Sequence, residues 1–292
     1  MKEIVVISGK GGTGKTSLTA SFAVLGGTDV VVADCDVDAA DMHLLLEPDF
    51  ANGEGFQSGE VAVIDPDLCD GCGQCAAVSR FGAVNLDDGR YSIDSMACEG
   101  CGYCARVCPE EAITNVPQNV GQWFHSQIRT GTEMVHASLR IGADNSGKLV
   151  AKVKNEARQA AENAGRELIL VDGSPGVGCP VVSSLSGASL VVLVTEPSVS
   201  GLHDLKRVYE LVKKFNIPAG CIINKADLNA RVRTELTDFL TTEGIVQLGE
   251  LPYNPAFSEA IINGQTIVEW DEELGSELAA CWRKIKALVG AA

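Results

Sequence analysis

The sequence predicts an α/β fold, a mostly parallel sheet with helices on both faces, interrupted by a smaller α+β segment. Three observations carry this. Short continuous apolar runs that end in glycine or carboxylates alternate with stretches of helical periodicity, as expected for strands buried on both faces and joined by crossover helices. The first run, Ile4-Val5-Val6-Ile7, enters a glycine-rich loop that opens a helix. Between residues 59 and 117 that alternation stops and a cysteine repeat takes over. The expected organisation is residues 1–58 and 118–292 as one domain, with residues 59–117 inserted.

The loop Gly9-Lys10-Gly11-Gly12-Thr13-Gly14-Lys15-Thr16 fits the phosphate-cradling pattern G-x-x-x-x-G-K-S/T. Its glycines let successive N–H groups converge on phosphate oxygens, and the helix predicted from Thr16 to Leu25 adds its dipole. Lys15 then reaches the outer phosphates and Thr16 holds Mg²⁺. Val30-Val31-Val32-Ala33 is a second buried strand. It ends in Asp34-Cys35-Asp36-Val37-Asp38, where carboxylates face the ligand crevice of an open α/β sheet; capping of a polar loop is the plainer role for these residues. Met42 to Leu46 begin a short apolar segment ended by Pro48, with His43 read as structural.

After the Gly-rich connector 51–59, Cys69-x-x-Cys72-x-x-Cys75 recurs as Cys98-x-x-Cys101-x-x-Cys104, each cysteine 29 positions on. The flanks recur too: Ile64-Asp65 with Ile93-Asp94, Gly71 and Gly73 with Gly100 and Gly102. The second copy ends in Cys108-Pro109. This spacing resembles a two-cluster bacterial ferredoxin. Zinc is the alternative, although zinc sites rarely use C-x₂-C-x₂-C. In ferredoxins the fourth ligand of each cluster comes from the other repeat. The resemblance therefore implies one [4Fe–4S] cluster on Cys69, Cys72, Cys75 and Cys108. The second would use Cys98, Cys101, Cys104 and the position 29 residues before Cys108, which is Ser79, followed by Arg80 instead of Pro. With three thiolates it would be a [4Fe–4S] cluster with Ser79 or an outside ligand at one iron, a [3Fe–4S] cluster, or a labile site.

Residues 118–146 hold Trp123, His125 and His136 and carry no assignable chemistry. Asn145-Ser146-Gly147 fits a cap for a helix from Lys148 to Ala164. Leu168-Ile169-Leu170-Val171 is a strand that leads into Asp172-Gly173-Ser174-Pro175-Gly176, with Cys179 beyond it, read as a small buried thiol. Leu190 to Val194 form another, ending at Thr195-Glu196-Pro197. A helix over 201–215 should face inward with Leu202, Leu205, Val208 and Leu211. Cys221-Ile222-Ile223 leads into Asn224-Lys225-Ala226-Asp227, and Ile245 to Gly249 give the last strand. The C-terminal helix, 272–289, carries Leu274, Leu278, Trp282, Ile285 and Val289 at helical spacing.

Lys10 within the loop, Asp34-x-Asp36, Asp172 to Gly176, Thr195-Glu196-Pro197, Gly201-Leu202-His203-Asp204-Leu205 and Asn224-x-x-Asp227 together resemble the MinD/ParA superfamily with its deviant phosphate loop. The cysteine insert resembles the members that carry a ferredoxin domain, a group that includes the orange-protein-complex ATPases and is related to Mrp and the nitrogenase iron protein. The resemblance implies an ATPase that uses ATP and Mg²⁺. Gly11, Gly12, Thr13, Gly14, Lys15, Thr16 and Ser17 would hold the phosphates. Lys10 would reach across a dimer to the partner's phosphates and Asp36 would position the attacking water, with Asp38 next in line. Asp172 would bind Mg²⁺ through a water, Gly176 would contact the γ-phosphate and Asn224 the adenine. Cys179 has the spacing of a cluster-bridging cysteine in the nitrogenase iron protein. The implied partners are a second copy or a paralogous ATPase, and an iron–sulfur or redox client. The implied function couples ATP-dependent dimerisation to cluster transfer or gated electron transfer; the alternative is a spatial organiser or partner switch with redox-sensing clusters.

Composition bounds these readings. At 292 residues the chain has room for one large α/β domain and a small one. A formal net charge of −16 argues against general nucleic-acid binding. No apolar run is long enough to span a membrane, and the sequence opens on a strand without a signal peptide, so a cytoplasmic protein is expected. In a reducing cytoplasm the eleven cysteines read as metal ligands in preference to disulfides. Arg283, Lys284 and Lys286 in the last helix are opposed by Glu272, Glu273 and Glu277, which argues against membrane attachment.

Overall fold

The computed structural model describes residues 1–140, 142–143 and 146–291. The chain divides into two units: Met1–Glu54 with Gln122–Leu139 and Ser146–Ala292, and Gly55–Gly121 with Arg140–Asn145. Segment 59–117 lies inside the second unit; the return of Arg140–Asn145 to it is not visible in the sequence pattern. Asn145, the expected helix cap, lies outside the described residues.

The strands are β1 (Lys2–Ser8), β2 (Val30–Asp34), β3 (Glu54–Ile64), β4 (Val84–Asp87), β5 (Arg90–Ile93), β6 (Ile113–Gln127), β7 (Glu133–Leu139), β8 (Leu168–Asp172), β9 (Leu190–Thr195), β10 (Ala219–Ile223) and β11 (Val246–Glu250). In the first unit the order β11-β10-β9-β1-β8-β2-β7 is parallel at every pairing, and the end of β6 lies beside β7. β6 and β7 occupy the stretch that had no assignment; Asn119, Gly121 and Gln122 break the apolar alternation there.

Both faces of this sheet are buried, which explains why its strands read as unbroken apolar runs. Ile4, Val6, Val32, Leu170 and Val192 share one core with the helices Lys15–Gly26 and Glu272–Val289. There Phe22 stacks on Trp282, ring centroids 5.5 Å apart. The C-terminal helix buries all five of its expected residues. Asp271 caps it by accepting the Leu274 N–H at 2.9 Å, and Gly290 ends it at φ 69°. On the opposite face the helix Ser146–Ala164 packs Leu149, Val150, Val153 and Ala157. Its Lys154 is buried and pairs with Glu3 at 2.9 Å while donating to the Ser184 and Ser186 carbonyls.

The helix Val199–Lys214 turns a slightly different face inward. Leu205, Val208, Tyr209 and Val212 are buried, whereas Leu202 and Leu211 are half-buried. A row of three-residue steps drifts around a helix of 3.6 residues per turn, so the buried stripe alternates steps of three, one and three.

The second unit is an internal pair. The short helices Gln74–Val78 and Tyr103–Val107 each follow a left-handed glycine, Gly73 at φ 74° and Gly102 at φ 69°. Asp65 Oδ1 accepts the Asp67 N–H and Asp94 Oδ1 accepts the Met96 N–H, both at 2.9 Å. Each repeat also closes on the other's tail: the Asp65 N–H donates to the Ala112 carbonyl at 2.7 Å and the Asp94 N–H to the Ala83 carbonyl at 2.8 Å. β4 and β5 form a hairpin, and β3 lies beside β6.

Candidate functional site

β1 sits between β8 and β9, so the loop leaving its carboxyl end enters a crevice flanked by the ends of β2, β8, β9 and β10. Register sets the chemistry. Asp34 is level with Asp172 on the neighbouring strand, which puts two carboxylates on one face. Lys15 supplies the compensating charge, with Nζ 2.8 Å from Asp172 Oδ2 and 3.3 Å from Asp36 Oδ2. The Thr16 hydroxyl donates to Asp172 Oδ2 and the Thr19 hydroxyl to Oδ1, both at 2.8 Å. The Asp36 N–H donates to Asp34 Oδ1 at 3.1 Å.

Burial by itself would lower the Lys15 pKa, but the carboxylates of Asp172 and Asp36 outweigh it and hold the ammonium above an ordinary lysine. Burial, then the Asp172 charge, raises Asp34 well above the usual carboxylate range, with Lys15 opposing. Asp36 is raised by burial and lowered by Lys15, with a net rise. The site therefore concentrates more negative charge than its one lysine neutralises, as suits a place for a divalent cation.

The loop and its neighbours line a pocket of about 260 Å³ that includes Gly11, Thr13, Lys15, Thr16, Ser17 and Asp36. The Thr13 hydroxyl is buried with no hydrogen-bond partner among the described residues. Two glycines are required by close approach. A Cβ on Gly9 would sit 2.4 Å from the Asp204 backbone, and one on Gly14, at φ 90°, would sit 2.4 Å from Asn224 Nδ2.

Several of the expected site residues have partners within their own chain, and one expectation is overturned. Lys10 is held within its own chain: Nζ lies 2.6 Å from Glu196 Oε1 and donates to Ser200 Oγ at 2.9 Å and Ser198 Oγ at 3.2 Å. Lys225 takes the other oxygen of Glu196 at 2.9 Å and the Gly12 carbonyl at 2.9 Å. Asn224 spends its amide on the loop: Nδ2 donates to the Thr13 carbonyl at 2.8 Å, and Oδ1 accepts the Lys225 N–H at 2.9 Å. The Gly176 N–H donates to the Ser8 carbonyl at 2.9 Å. Asp38 is exposed. Cys179 is exposed at the start of the helix Cys179–Leu185, a correction to the buried thiol expected there. Its position just after the Asp172 loop puts it on a helix end, outside the core. Burial pushes His136 down to about 4, and its Nε2 lies 3.0 Å from the Ser126 hydroxyl. Glu196 and Lys225 were not singled out by sequence; Thr195-Glu196-Pro197 was noted only as a pattern.

In the second unit Cys98, Cys101 and Cys104 line one cavity together with Ser79. Burial raises Cys104, and the nearby Cys98 and Cys101 thiols add to it. Burial likewise raises Cys75, with Cys69 and Cys104 close by. Among the described residues no group of three His, Cys, Asp or Glu side chains is gathered as the ligands of a metal ion. A single ion draws its donors onto one centre, whereas an iron–sulfur cubane binds each thiolate at a different iron, so the two call for different donor spacing.

A family model described as the CobQ/CobB/MinD/ParA nucleotide binding domain matches residues 4–267. Among curated relatives, uncharacterized protein MJ0578 of Methanocaldococcus jannaschii is 32% identical over 229 residues, 78% of this chain and 79% of that protein. MJ0579 of the same organism is 25% identical over 304 residues, 93% of each. Among solved structures, the septum site-determining protein MinD of Pyrococcus horikoshii, complexed with Mg-ADP, aligns with a TM-score of 0.60 at 19% identity, covering 99% of this chain and 97% of that one.

Proposed function

This chain belongs to the CobQ/CobB/MinD/ParA nucleotide-binding family, and on that premise we propose that it is a Mg²⁺-dependent ATPase whose nucleotide-driven dimerisation acts on an iron–sulfur unit. The observation that carries the ATPase reading is the meeting of Lys15, Thr16 and Asp36, which line the pocket beneath the loop, with the buried Asp172 behind them.

The buried, unpaired Thr13 hydroxyl and the excess of carboxylates fit a phosphate and a cation there. Thr16 and Asp172 would hold Mg²⁺, which when bound would neutralise charge on the phosphates. Lys15 now touches the oxygens of both groups, so nucleotide entry draws its ammonium off Asp172 and onto the phosphate. The loop N–H groups cradle the phosphates. Asp36, released from Lys15, accepts a hydrogen bond from the attacking water and orients it in line with the γ-phosphate. Lys10 leaves Glu196 and meets the partner's nucleotide, so that hydrolysis waits for pairing.

The iron–sulfur reading rests on the two cysteine repeats and their crossed backbone pairing. Cys69, Cys72, Cys75 and Cys108 would hold one cluster, and Cys98, Cys101 and Cys104 the second. The clusters would supply one-electron chemistry or be cargo for a client protein. The deciding experiment is ATP turnover by anaerobically purified protein with iron and sulfide analysis. Asp36→Ala is expected to bind ATP, lose turnover and accumulate as dimer. Full turnover in that variant would move the role of orienting water to another residue.

A further inference from the structure

We propose that the cavity lined by Ser79, Cys98, Cys101 and Cys104 is a three-thiolate iron–sulfur site whose fourth iron takes a thiolate from outside the chain. This deepens the iron–sulfur reading above and rests on it.

The two repeats deliver Ser79 and Cys108 to equivalent places. Each ends a five-residue helix, Ser79 at φ −73°, ψ 100° and Cys108 at φ −74°, ψ 113°. Each carbonyl then accepts from three residues on, Gly82 N–H to Ser79 O at 3.4 Å and Glu111 N–H to Cys108 O at 3.3 Å. The backbone thus presents Ser79 as it presents the cysteine, and one atom differs. That atom matters because iron in these clusters prefers a thiolate, and a neutral hydroxyl is a far poorer donor. The Ser79 oxygen also accepts the Ala83 N–H at 3.1 Å, which keeps it within its own turn.

Two residues of the cavity wall reach the surface: Phe81 and Tyr103 are 56% and 53% exposed. Arg80 and Glu99 also line it and offset each other in charge, so the softness of the donor, more than its charge, selects the ligand. A thiolate is the donor that the missing cysteine would have supplied. It can come from a small thiol or from a cysteine on another protein.

The test uses full-length protein, reconstituted anaerobically and freed of thiols by gel filtration. Ferricyanide is then added. At an iron without a protein thiolate, [4Fe–4S]²⁺ gives [3Fe–4S]⁺, Fe²⁺ and one electron, which reduces ferricyanide to ferrocyanide. Wild-type protein is expected to show the EPR signal of a three-iron centre, and the isosteric Ser79→Cys variant is expected not to. 2-Mercaptoethanol, or an unstructured decapeptide with one central cysteine, is added beforehand at equal thiol concentration, with ferricyanide kept in excess over total thiol so that its reduction by free thiol cannot itself account for protection. Protection by either supports the proposal, and the peptide arm separates a polypeptide-borne ligand from a small one. Protection by neither overturns it. Equal iron loss from wild type and Ser79→Cys also overturns it, because Ser79 would then be as good a ligand as cysteine. So does a wild type holding about four irons per chain where Ser79→Cys holds about eight, which would mean an empty second site. If neither protein retains iron and sulfide, the iron–sulfur reading itself has failed.

Discussion

The first unit buries both faces of its parallel strands; Ile4, Val5, Val6, Ile7, Val31 and Val32 are each 0% exposed. Among the described residues the second has a small core cluster of Ala62, Cys75 and Ile113, against which Cys98, Cys104 and Cys108 pack while half-buried. A unit of that size with so few fully buried apolar side chains has little burial to hold its fold, and small units commonly add cross-links or metals. The difference teaches that the nucleotide unit can afford an electrostatically unfavourable site, with Asp34 and Asp172 side by side, because a large core supports it. In the cysteine unit Cys75, Cys98, Cys104 and Cys108 are part of the core, while Cys72 and Cys101 are exposed.

Four measurements would break or sharpen that contrast. The largest effect is expected at Lys10, which in the proposed cycle completes hydrolysis from the partner chain. Lys10→Ala should keep nucleotide affinity within a few-fold and lose on the order of 10³-fold in turnover, the scale of a cationic finger supplied in trans. Turnover at the wild-type rate would remove the dimer from the mechanism. Next is anaerobic chelation of the iron. Hydrogen exchange should accelerate roughly tenfold or more across Gly55–Gly121 and stay unchanged in β1 and β8. Unchanged exchange in both would show that the small core suffices.

The third measurement concerns Glu196, whose carboxyl the Lys10 and Lys225 ammonium groups hold below its ordinary value against the effect of burial. Glu196→Gln should raise the reactivity of Lys10 toward an amine-acylating reagent several-fold, on the scale of a part-exposed ion pair of about 1 kcal/mol. The smallest effect is expected at Asp34. Its pKa is raised on folding, so its ionised form destabilises the fold, and that penalty is present above the folded pKa and fades as pH falls through it. Asp34→Asn keeps an oxygen for the Asp36 N–H and should raise the melting temperature by the equivalent of ~1 kcal/mol at alkaline pH, with the gain vanishing in acid. A variant less stable than wild type at alkaline pH would contradict the charge argument.

The parts of the site that were legible in sequence are those whose logic is local. A glycine-rich turn between strand and helix, and an aspartate at a strand end, announce themselves within a few residues, as Lys15 and Asp172 do. The cysteine repeat was legible because its period is internal. What stayed hidden depends on partners far apart in the chain: Lys10 and Glu196 are separated by 186 positions, and only the adjacency of β1 and β9 brings them together. The contact of Asn224 with the loop is hidden for the same reason: its Nδ2 donates to the Thr13 carbonyl, 211 positions away. The exposure of Cys179 depends on how the short helix it begins is packed, which no spacing reveals.

Glu196 is one carboxylate shared between two lysines of its own chain, and in the proposed cycle that would make the molecule sensitive to how many copies of it there are. Holding Lys10 at home is a unimolecular event, whereas lending it to another copy is bimolecular, so dilution favours the first. Because pairing two copies releases one such contact from each, every ~0.7 kcal/mol by which Glu196 holds Lys10 raises about tenfold the concentration at which half the chains are paired. With Lys10 27% and Glu196 12% exposed at the side chain, water holds each contact to about 1 kcal/mol, and the two together shift that concentration about thirty-fold. In the proposed cycle the protein is idle while scarce and begins to turn over once its abundance passes a threshold that this one contact sets.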